Sequence, residues 1–215
     1  MSFANDIEEI VYLEYQSIDV KAYQSKIRFF ETNKKAIDQL PFDMNLEINL
    51  EYVVALFEVG EYYMFLKLVD QLLVTVIEDN VYSIDGDDIY QELLYRKGAA
   101  LYNILDYYQA EYILAELCRI DKKNDLYHKT FIKNKIDAIR SKSQKSRAII
   151  IAMLLVTGII IGVELLIIRP FFAEFIQITE LVRVGLFAGA LIGIFTQEMR
   201  IRYIARRAYK KLFKA

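Results

Sequence analysis

Apolar residues recur every three or four positions through most of residues 1–146, which is the spacing of amphipathic helices. The successive runs begin at Ile7, Tyr23, Leu46, Phe65, Leu93 and Ala110. Gly60 separates two of the runs, so we expect an antiparallel helical hairpin there, and another helix should end before Pro41. No stretch of useful length alternates apolar and polar residues with the period of two that a half-buried strand requires. The pattern therefore predicts an all-α fold.

The chain then carries two long apolar runs. The first, residues 148–168, has 21 residues and one charged side chain, Glu164. A helix of that length crosses the roughly 30 Å hydrocarbon core of a bilayer, so we expect a first transmembrane helix. Carboxylates inside a membrane are usually functional, which makes Glu164 a candidate functional residue. Its place near the outer end of the run fits simple exposure to the membrane interface equally well.

The second run, residues 175–197, is predicted to be a second transmembrane helix. It contains Glu180 and Arg183, which are three residues apart and can therefore pair on a helix. The part without charges, residues 184–197, has only 14 residues, so a re-entrant segment is the alternative. With two complete spans, residues 169–174 form the short external turn of a transmembrane helical hairpin.

Charge is segregated along the chain, although the formal net charge is only −2. Residues 1–126 contain 24 acidic and 11 basic side chains, whereas residues 127–147 and residues 198–215 each contain seven basic and one acidic. Basic residues flank membrane helices on the cytoplasmic side, so we expect both termini in the cytoplasm. Residues 1–126 are then an acidic cytoplasmic domain and residues 127–147 a basic juxtamembrane helix. The first residues lack the basic and apolar regions of a signal peptide.

The last segment, residues 198–215, is predicted to be a basic amphipathic cytoplasmic tail. Ile201, Ile204 and Ala205 fall on one helical face, and basic side chains cover the others. Such a helix lies on a membrane surface and binds anionic lipids. The side chains expected at that membrane surface are Arg200, Arg202, Arg206, Arg207, Lys210, Lys211 and Lys214. Nucleic-acid binding is the other interpretation of a basic stretch, and the acidic domain and the membrane tether both argue against it.

Five of the eight glycines lie in the two apolar runs at intervals of four residues. Gly158 and Gly162 form one GxxxG pattern, and Gly185, Gly189 and Gly193 form a double one. This spacing places the glycines on one side of each helix, where another backbone can approach closely. Two arrangements fit the pattern: the two spans pack on each other as a hairpin, or copies of the chain pack together as a homo-oligomer.

The segment LLYRKGAALYNILDYYQAEYILAELCRIDKKN, residues 93–124, resembles a tetratricopeptide (TPR) repeat. Gly98 matches the small residue of the first helix and Leu101 the large residue three positions later. In the second helix, Tyr107 matches the tyrosine after the turn, Ala110 the small position and Leu117 a late core position. The resemblance implies α-helical hairpin repeats that bind a protein or peptide partner through an extended concave surface.

Residues 47–73 resemble a degenerate second copy of the same repeat. Gly60 and Tyr62 match its turn, but Val53 and Phe65 occupy the two small positions. The closing proline of the motif is absent from both copies, and the two turns are 45 residues apart, against a usual period of about 34. A helical bundle without repeats is therefore the alternative.

The sequence lacks the residues that common catalytic and metal sites require. It has one cysteine, Cys118, and one histidine, His128, and no phosphate-binding, zinc-protease or nucleophile-elbow motif. The acidic stretch around Gly86 lacks the first ligand of a calcium-binding loop and fits a turn with a helix cap. We therefore expect no metal, no cofactor and no enzymatic activity.

Taken together, these features predict a membrane-anchored helical-repeat adaptor or scaffold that binds a protein partner at the cytoplasmic face. The partner itself is unknown from the sequence. The main alternative is a two-span membrane effector, similar in layout to those of bacterial anti-phage defence, which oligomerises and perturbs the membrane when triggered. The absence of a targeting sequence and the heavy use of Ile, Lys, Asn and Tyr favour a bacterial inner membrane.

Overall fold

The computed structural model describes residues 10–79, 83–84 and 87–213, and these residues form an all-α fold with one two-residue strand pair. The chain divides into two compact units, residues 1–130 and residues 131–215. The elements of the first unit, in order, are α1 (residues 10–16), α2 (Tyr23–Ile37), α3 (Phe42–Glu58), α4 (Tyr62–Glu78), the short strands β1 (Ser83–Ile84) and β2 (Asp87–Asp88), α5 (Ile89–Asn103) and α6 (Tyr107–Ile120). Helix α7 (Asp125–Lys142) begins in the first unit and ends in the second.

In the first unit each helix from α2 to α6 packs against the next one in the sequence. The core between them consists of the periodic apolar residues, and side chains such as Val69 and Leu114 are fully buried. Helix α2 ends at Ile37, before Pro41, as the sequence predicts. The strands β1 and β2 form a two-residue antiparallel pair before α5. Asp88 caps α5, because its carboxylate accepts a hydrogen bond from the Gln91 amide at 2.9 Å.

The turns between α3 and α4 and between α5 and α6 have the same geometry. Gly60 and Leu105 occupy the same position in these turns, and both have a positive φ, 86° and 66°. In each turn the following amide donates to the carbonyl five residues earlier at 2.9 Å, in the pairs Glu61–Leu56 and Asp106–Leu101. This is the hydrogen bond that closes a helix with a left-handed residue. The two helical hairpins therefore end in equivalent turns, 45 residues apart.

A buried polar network joins α1, α2 and α3. Lys26 is only 5% exposed and forms an ion pair with Glu51. The hydroxyl of Tyr15 donates to the same carboxylate at 2.7 Å. Burial and the Glu51 carboxylate raise the pKa of Tyr15 well above its usual value, so the hydroxyl stays protonated and remains a donor. The buried lysine is stable here because its charge is paired and hydrogen-bonded.

The second unit contains two helices that are long and apolar enough to cross a membrane, Gln144–Phe171 and Ile176–Leu212. In their most apolar 18-residue windows, only 11% and 6% of the residues are buried inside the protein. The core helix of a soluble protein is mostly buried, whereas few residues of these two windows are buried. At 1.5 Å per residue, helices of 28 and 37 residues are about 42 and 55 Å long.

The first of these helices has three parts, α8 (Gln144–Val163), a π-helical segment (Glu164–Ile168) and α9 (Arg169–Phe171). The sequence places an external turn at residues 169–174, but the helix continues through Pro170 and ends at Phe171. Proline lacks an amide hydrogen and its ring clashes with the carbonyl four residues earlier in an α-helix. The π-helical segment is wider than an α-helix and includes the residue four positions before Pro170, so the helix can accommodate the proline ring.

The second long helix is α10 (Ile176–Leu212), which follows a 3₁₀ turn (Ala173–Phe175). It is unbroken, so the predicted second span and the predicted tail form one helix and do not separate at residue 198. The predicted juxtamembrane helix, residues 127–147, also has different bounds, because α7 ends at Lys142 and α8 begins at Gln144.

Candidate functional site

A groove of about 550 Å³ lies between α2, α3 and α4. Its walls come from α2 and α4, and α3 runs along its length between them. Apolar side chains dominate the surface, and Phe42 and Met64 stand at its rim, 49% and 43% exposed. The other lining residues are Phe30, Glu31, Lys34, Asp38, Asn45, Leu46, Asn49, Tyr52, Val53, Leu68, Gln71, Leu72 and Thr75. A concave surface that combines apolar side chains with hydrogen-bonding groups is typical of a binding site.

Two asparagines place polar groups in the groove. The Asn45 side-chain amide donates to the Ile37 carbonyl at 2.7 Å, which ties the end of α2 to the beginning of α3. The Asn49 amide donates to the backbone and side-chain oxygens of Asn45 at 2.8 and 2.9 Å. These bonds orient both side chains within the groove.

The residues that match the repeat motif build the hairpins and do not line the groove. A Cβ atom at Gly98 would lie 3.0 Å from Leu114 Cδ2, so α5 and α6 are in close contact there. Gly60 forms the α3–α4 turn. Leu101, Ala110 and Leu117 are buried. Tyr62 and Tyr107 make equivalent edge-on ring contacts at 5.7 Å, with Phe57 and Tyr102 respectively.

The glycines of the two long helices are not all at the contact between them. A Cβ atom at Gly189 would lie 3.3 Å from Met153 Cε, and one at Gly193 would lie 3.4 Å from Ile150 Cγ1. These two glycines therefore let α10 approach α8. Around the other three, Gly158, Gly162 and Gly185, the described part of the chain has no atom within 4 Å of the added Cβ. Those three lie on open faces.

An ion-pair cluster joins the same two helices near the connection between them. The Glu164 side chain is fully buried, and its two oxygens accept from Arg183 Nη1 at 2.7 Å and from Arg169 Nη2 at 3.1 Å. Arg183 also contacts Glu180 at 3.6 Å, as the three-residue spacing predicts. Apolar side chains beyond the cluster, Phe171 among them, are exposed again. Glu164 is therefore enclosed by protein and is not simply exposed at an interface.

A second polar cluster joins α10 to the junction between α7 and α8. Glu198 of α10 accepts hydrogen bonds from Arg140 and Arg202, each at 2.9 Å to the same carboxylate oxygen. Close by, the Gln197 amide donates to the Ser143 hydroxyl at 3.1 Å. The α8–α10 hairpin is thus held by polar contacts at both ends, with an apolar stretch between them.

The predicted lipid-contacting residues of α10 are exposed where the structure describes them. These are Arg200, Arg202, Arg206, Arg207, Lys210 and Lys211, while Lys214 lies outside the described residues. Ile201 and Ala205 of the predicted apolar face are 4% and 0% exposed. Ile204 of the same predicted face is 36% exposed, so this part of α10 buries only part of that face in protein and presents its basic side chains.

The described residues present little catalytic chemistry. Within residues 10–79, 83–84 and 87–213, no group of three or more His, Cys, Asp or Glu is placed to hold a metal ion. Cys118 is fully buried in α6, and burial raises the pKa of its thiol to about 11. A thiol with that pKa is protonated at neutral pH and is a poor nucleophile. The groove and the exposed helix faces are suited to binding.

Comparisons with known protein families, with curated proteins and with solved structures gave no significant match.

Sequence reasoning missed three features of these sites. It did not find the groove, which depends on how α2 and α4 flank α3. It paired Arg183 with Glu180 but missed Glu164 of the other helix as the nearer partner. It also did not foresee that Leu105 adopts a left-handed conformation in the α5–α6 turn. A signal for the second feature existed, since the first apolar run carries an acidic side chain, Glu164, and the second a basic one, Arg183, both near the connection.

Proposed function

We propose that this protein is a membrane-anchored helical-repeat adaptor whose α2–α4 groove binds a segment of a protein partner. The groove is the observation on which the proposal rests, because it offers exposed apolar side chains beside polar ones in a unit without catalytic chemistry among its described residues. Its rim residues Phe42 and Met64 remain open to solvent. An amphipathic segment of a partner would bury these side chains, as in other helix-in-groove complexes.

The repeat identity is part of this proposal. Two hairpins with equivalent turns, aromatic contacts and buried positions support a TPR-like duplication of residues 47–73 and 93–124. The period of 45 residues departs from the usual TPR length of about 34, so the duplication is a longer variant of the motif.

The membrane location is also proposed. The low burial of the two long helices supports it, and the exposed basic residues of α10 fit an anionic cytoplasmic leaflet. In this arrangement both termini lie in the cytoplasm and only the α9–α10 connection lies outside, in a bacterial inner membrane. Reporter fusions at each end test the orientation. A C-terminal reporter active only on the external side would contradict it.

The groove is tested with exposed rim residues, whose substitution leaves the core intact. Full-length protein, purified in mild detergent, is used to recover bound proteins, and Met64→Asp should abolish recovery of a specific partner. Val74→Asp is the matched control, because Val74 lies on the same helix, is 50% exposed and is not part of the groove. Equal recovery by both variants would exclude the groove as the binding site.

The effector function is a second candidate, and the open glycine faces favour it. Gly158 and Gly162 form a GxxxG face on α8 that no described atom covers, and such faces join helices in membranes. Expression of the full chain should then depolarise cells, and Gly162→Leu should prevent it. Gly189→Leu would instead disturb the contact between α8 and α10 of the same chain, where Gly189 faces Met153. Expression without growth arrest or depolarisation would favour the adaptor.

A further inference from the structure

The turn between α5 and α6 contains an unfavourable residue. Leu105 has φ 66°, a left-handed conformation that a Cβ atom disfavours and that glycine adopts freely. The equivalent turn between α3 and α4 has Gly60 at this position. The Leu105 side chain is also 67% exposed, so burial within the described chain does little to offset the strain. Strained residues of this kind cluster at functional sites.

Two exposed tyrosines follow Leu105 on the outer side of α6. Tyr108 is the second residue of the helix and is 85% exposed, and Tyr112, one turn later, is 66% exposed. Residues four apart on a helix are neighbours on its surface. We call Leu105, Tyr108 and Tyr112 the α6 outer stripe. It shares no residue with the α2–α4 groove.

The first hairpin provides an internal comparison. Forty-five residues before Leu105, Tyr108 and Tyr112 stand Gly60, Tyr63 and Lys67. The first hairpin therefore has a relaxed glycine and a charged side chain where the second has an exposed leucine and an exposed tyrosine. These two differences add apolar surface to the second hairpin only. Exposed tyrosines with an apolar neighbour are typical of protein-binding surfaces, where tyrosine is enriched among the residues that dominate affinity.

The charge around the stripe indicates the kind of partner. Residues 105–120 contain three acidic side chains and one basic, and Arg119 pairs with Glu116, so the acidic side chains Asp106 and Glu111 give this stretch its net charge of −2. The whole of residues 1–126 carries 13 more acidic than basic side chains. An acidic surface attracts cationic partners and is repelled by anionic lipid.

We propose that the α6 outer stripe is a second docking surface, which binds a cationic amphipathic helix of a partner protein. The apolar side of that helix covers Leu105, Tyr108 and Tyr112, and its flanking Lys or Arg residues face the acidic side chains of α6. The Leu105 side chain gives the partner helix an apolar contact that a glycine would not give, and the strained backbone is retained for that contact.

The probe is a synthetic 14-residue helical peptide of Leu and Lys, with a Leu and Glu peptide of the same pattern as the charge control. The full chain is placed in phosphatidylcholine nanodiscs, and binding to empty nanodiscs is subtracted. The Leu–Lys peptide should bind, and Tyr108→Ala should weaken its affinity about tenfold, as expected for a tyrosine at the centre of an interface. Tyr63→Ala, the equivalent change in the first hairpin, should alter it less than about twofold.

Leu105→Gly separates the docking role from a structural one. Because the glycine removes backbone strain, the variant should melt about 2–4 °C higher, and it should also bind the Leu–Lys peptide about tenfold more weakly. A more stable variant that binds as well as the original protein would overturn the proposal. Equal losses for Tyr63→Ala and Tyr108→Ala, or equal binding of the Leu–Glu peptide, would overturn it as well.

A second copy of the chain is the competing occupant. If the peptide fails to bind and the chain forms dimers that Tyr108→Ala dissociates, the stripe is a self-association surface and the proposal is wrong. The groove variant Met64→Asp should leave peptide binding at the stripe unchanged, so failure of the stripe and failure of the groove are distinguishable.

Discussion

The Glu164–Arg183 ion pair should make a measurable contribution to the contact between the two long helices. Glu164 is fully buried and Arg183 is its nearest partner, at 2.7 Å. Removing one member of a buried pair in a soluble protein costs about 3–5 kcal/mol, and interhelical hydrogen bonds in membranes contribute up to about 1.7 kcal/mol. Since Arg169 still neutralises Glu164, we expect Arg183→Gln to cost about 2 kcal/mol, between these two ranges.

A double-mutant cycle isolates the pair from the other effects of each substitution. The free energy of separating α8 from α10 is measured by steric trapping of the full chain in bicelles, for Glu164→Gln, Arg183→Gln and the combined variant. The combined variant should lose about 1–2 kcal/mol less than the sum of the single variants. Glu180→Gln is the matched control, because Glu180 also contacts Arg183 but is 58% exposed, and it should cost less than about 0.5 kcal/mol. The assigned role of the Glu164–Arg183 pair in holding α8 against α10 would be refuted by either of two results. The free-energy losses of the two single variants could add up to that of the combined variant, or they could be no larger than the loss of Glu180→Gln.

Three further results are expected. Gly98→Val should lower the stability of the first unit by about 2 kcal/mol in thermal unfolding, because its side chain would overlap buried Leu114; an unchanged midpoint would contradict the close helix contact. Cys118 should react with a thiol reagent about 100-fold more slowly in the folded protein than in denaturant at pH 8. Burial raises the pKa of this thiol from the ordinary 9.0 to about 11. Between these two pH values the unfolded chain has lost a proton that the folded protein still holds. The free energy of unfolding should therefore be unaffected by this thiol below about pH 9 and should fall as the pH rises to about 11. Met153→Cys with Gly189→Cys, in a chain without Cys118, should form a crosslink within one chain; crosslinks only between chains would show that copies pack through this face.

The helices of the first unit could be predicted from the sequence because their determinants are local. The apolar period marks each helix, and the breaks fall at residues with special backbone geometry. Pro41 precedes α3, and Gly60 supplies the left-handed residue that ends it. Asp88 caps α5 within three residues of its own position. Each of these effects acts over less than two helical turns, so a single sequence contains enough information to place them.

The binding surfaces could not be predicted in the same way, because they depend on contacts between distant segments. The α2–α4 groove combines residues from three helices, and no local pattern fixes how far apart those helices lie. Leu105 gives no warning in the sequence, since leucine is unusual at a positive φ. The 45-residue spacing of the two turns aligns Leu105 with Gly60, but only the backbone of the folded chain shows that the leucine adopts the left-handed conformation.

The register of the two long helices follows from their polar ends more than from their apolar middle. In the proposed membrane location, apolar side chains gain nothing by facing each other instead of the acyl chains, so many registers of α8 against α10 would have similar apolar contacts. A slip by one helical turn shifts the helices by about 5.4 Å. That shift would break the Glu164–Arg183 contact at one end and the Ser143–Gln197 contact at the other. It would also leave buried charge unpaired, which is costly in lipid. The glutamate and arginine that interrupt the two apolar runs are therefore the residues that select one arrangement of the hairpin.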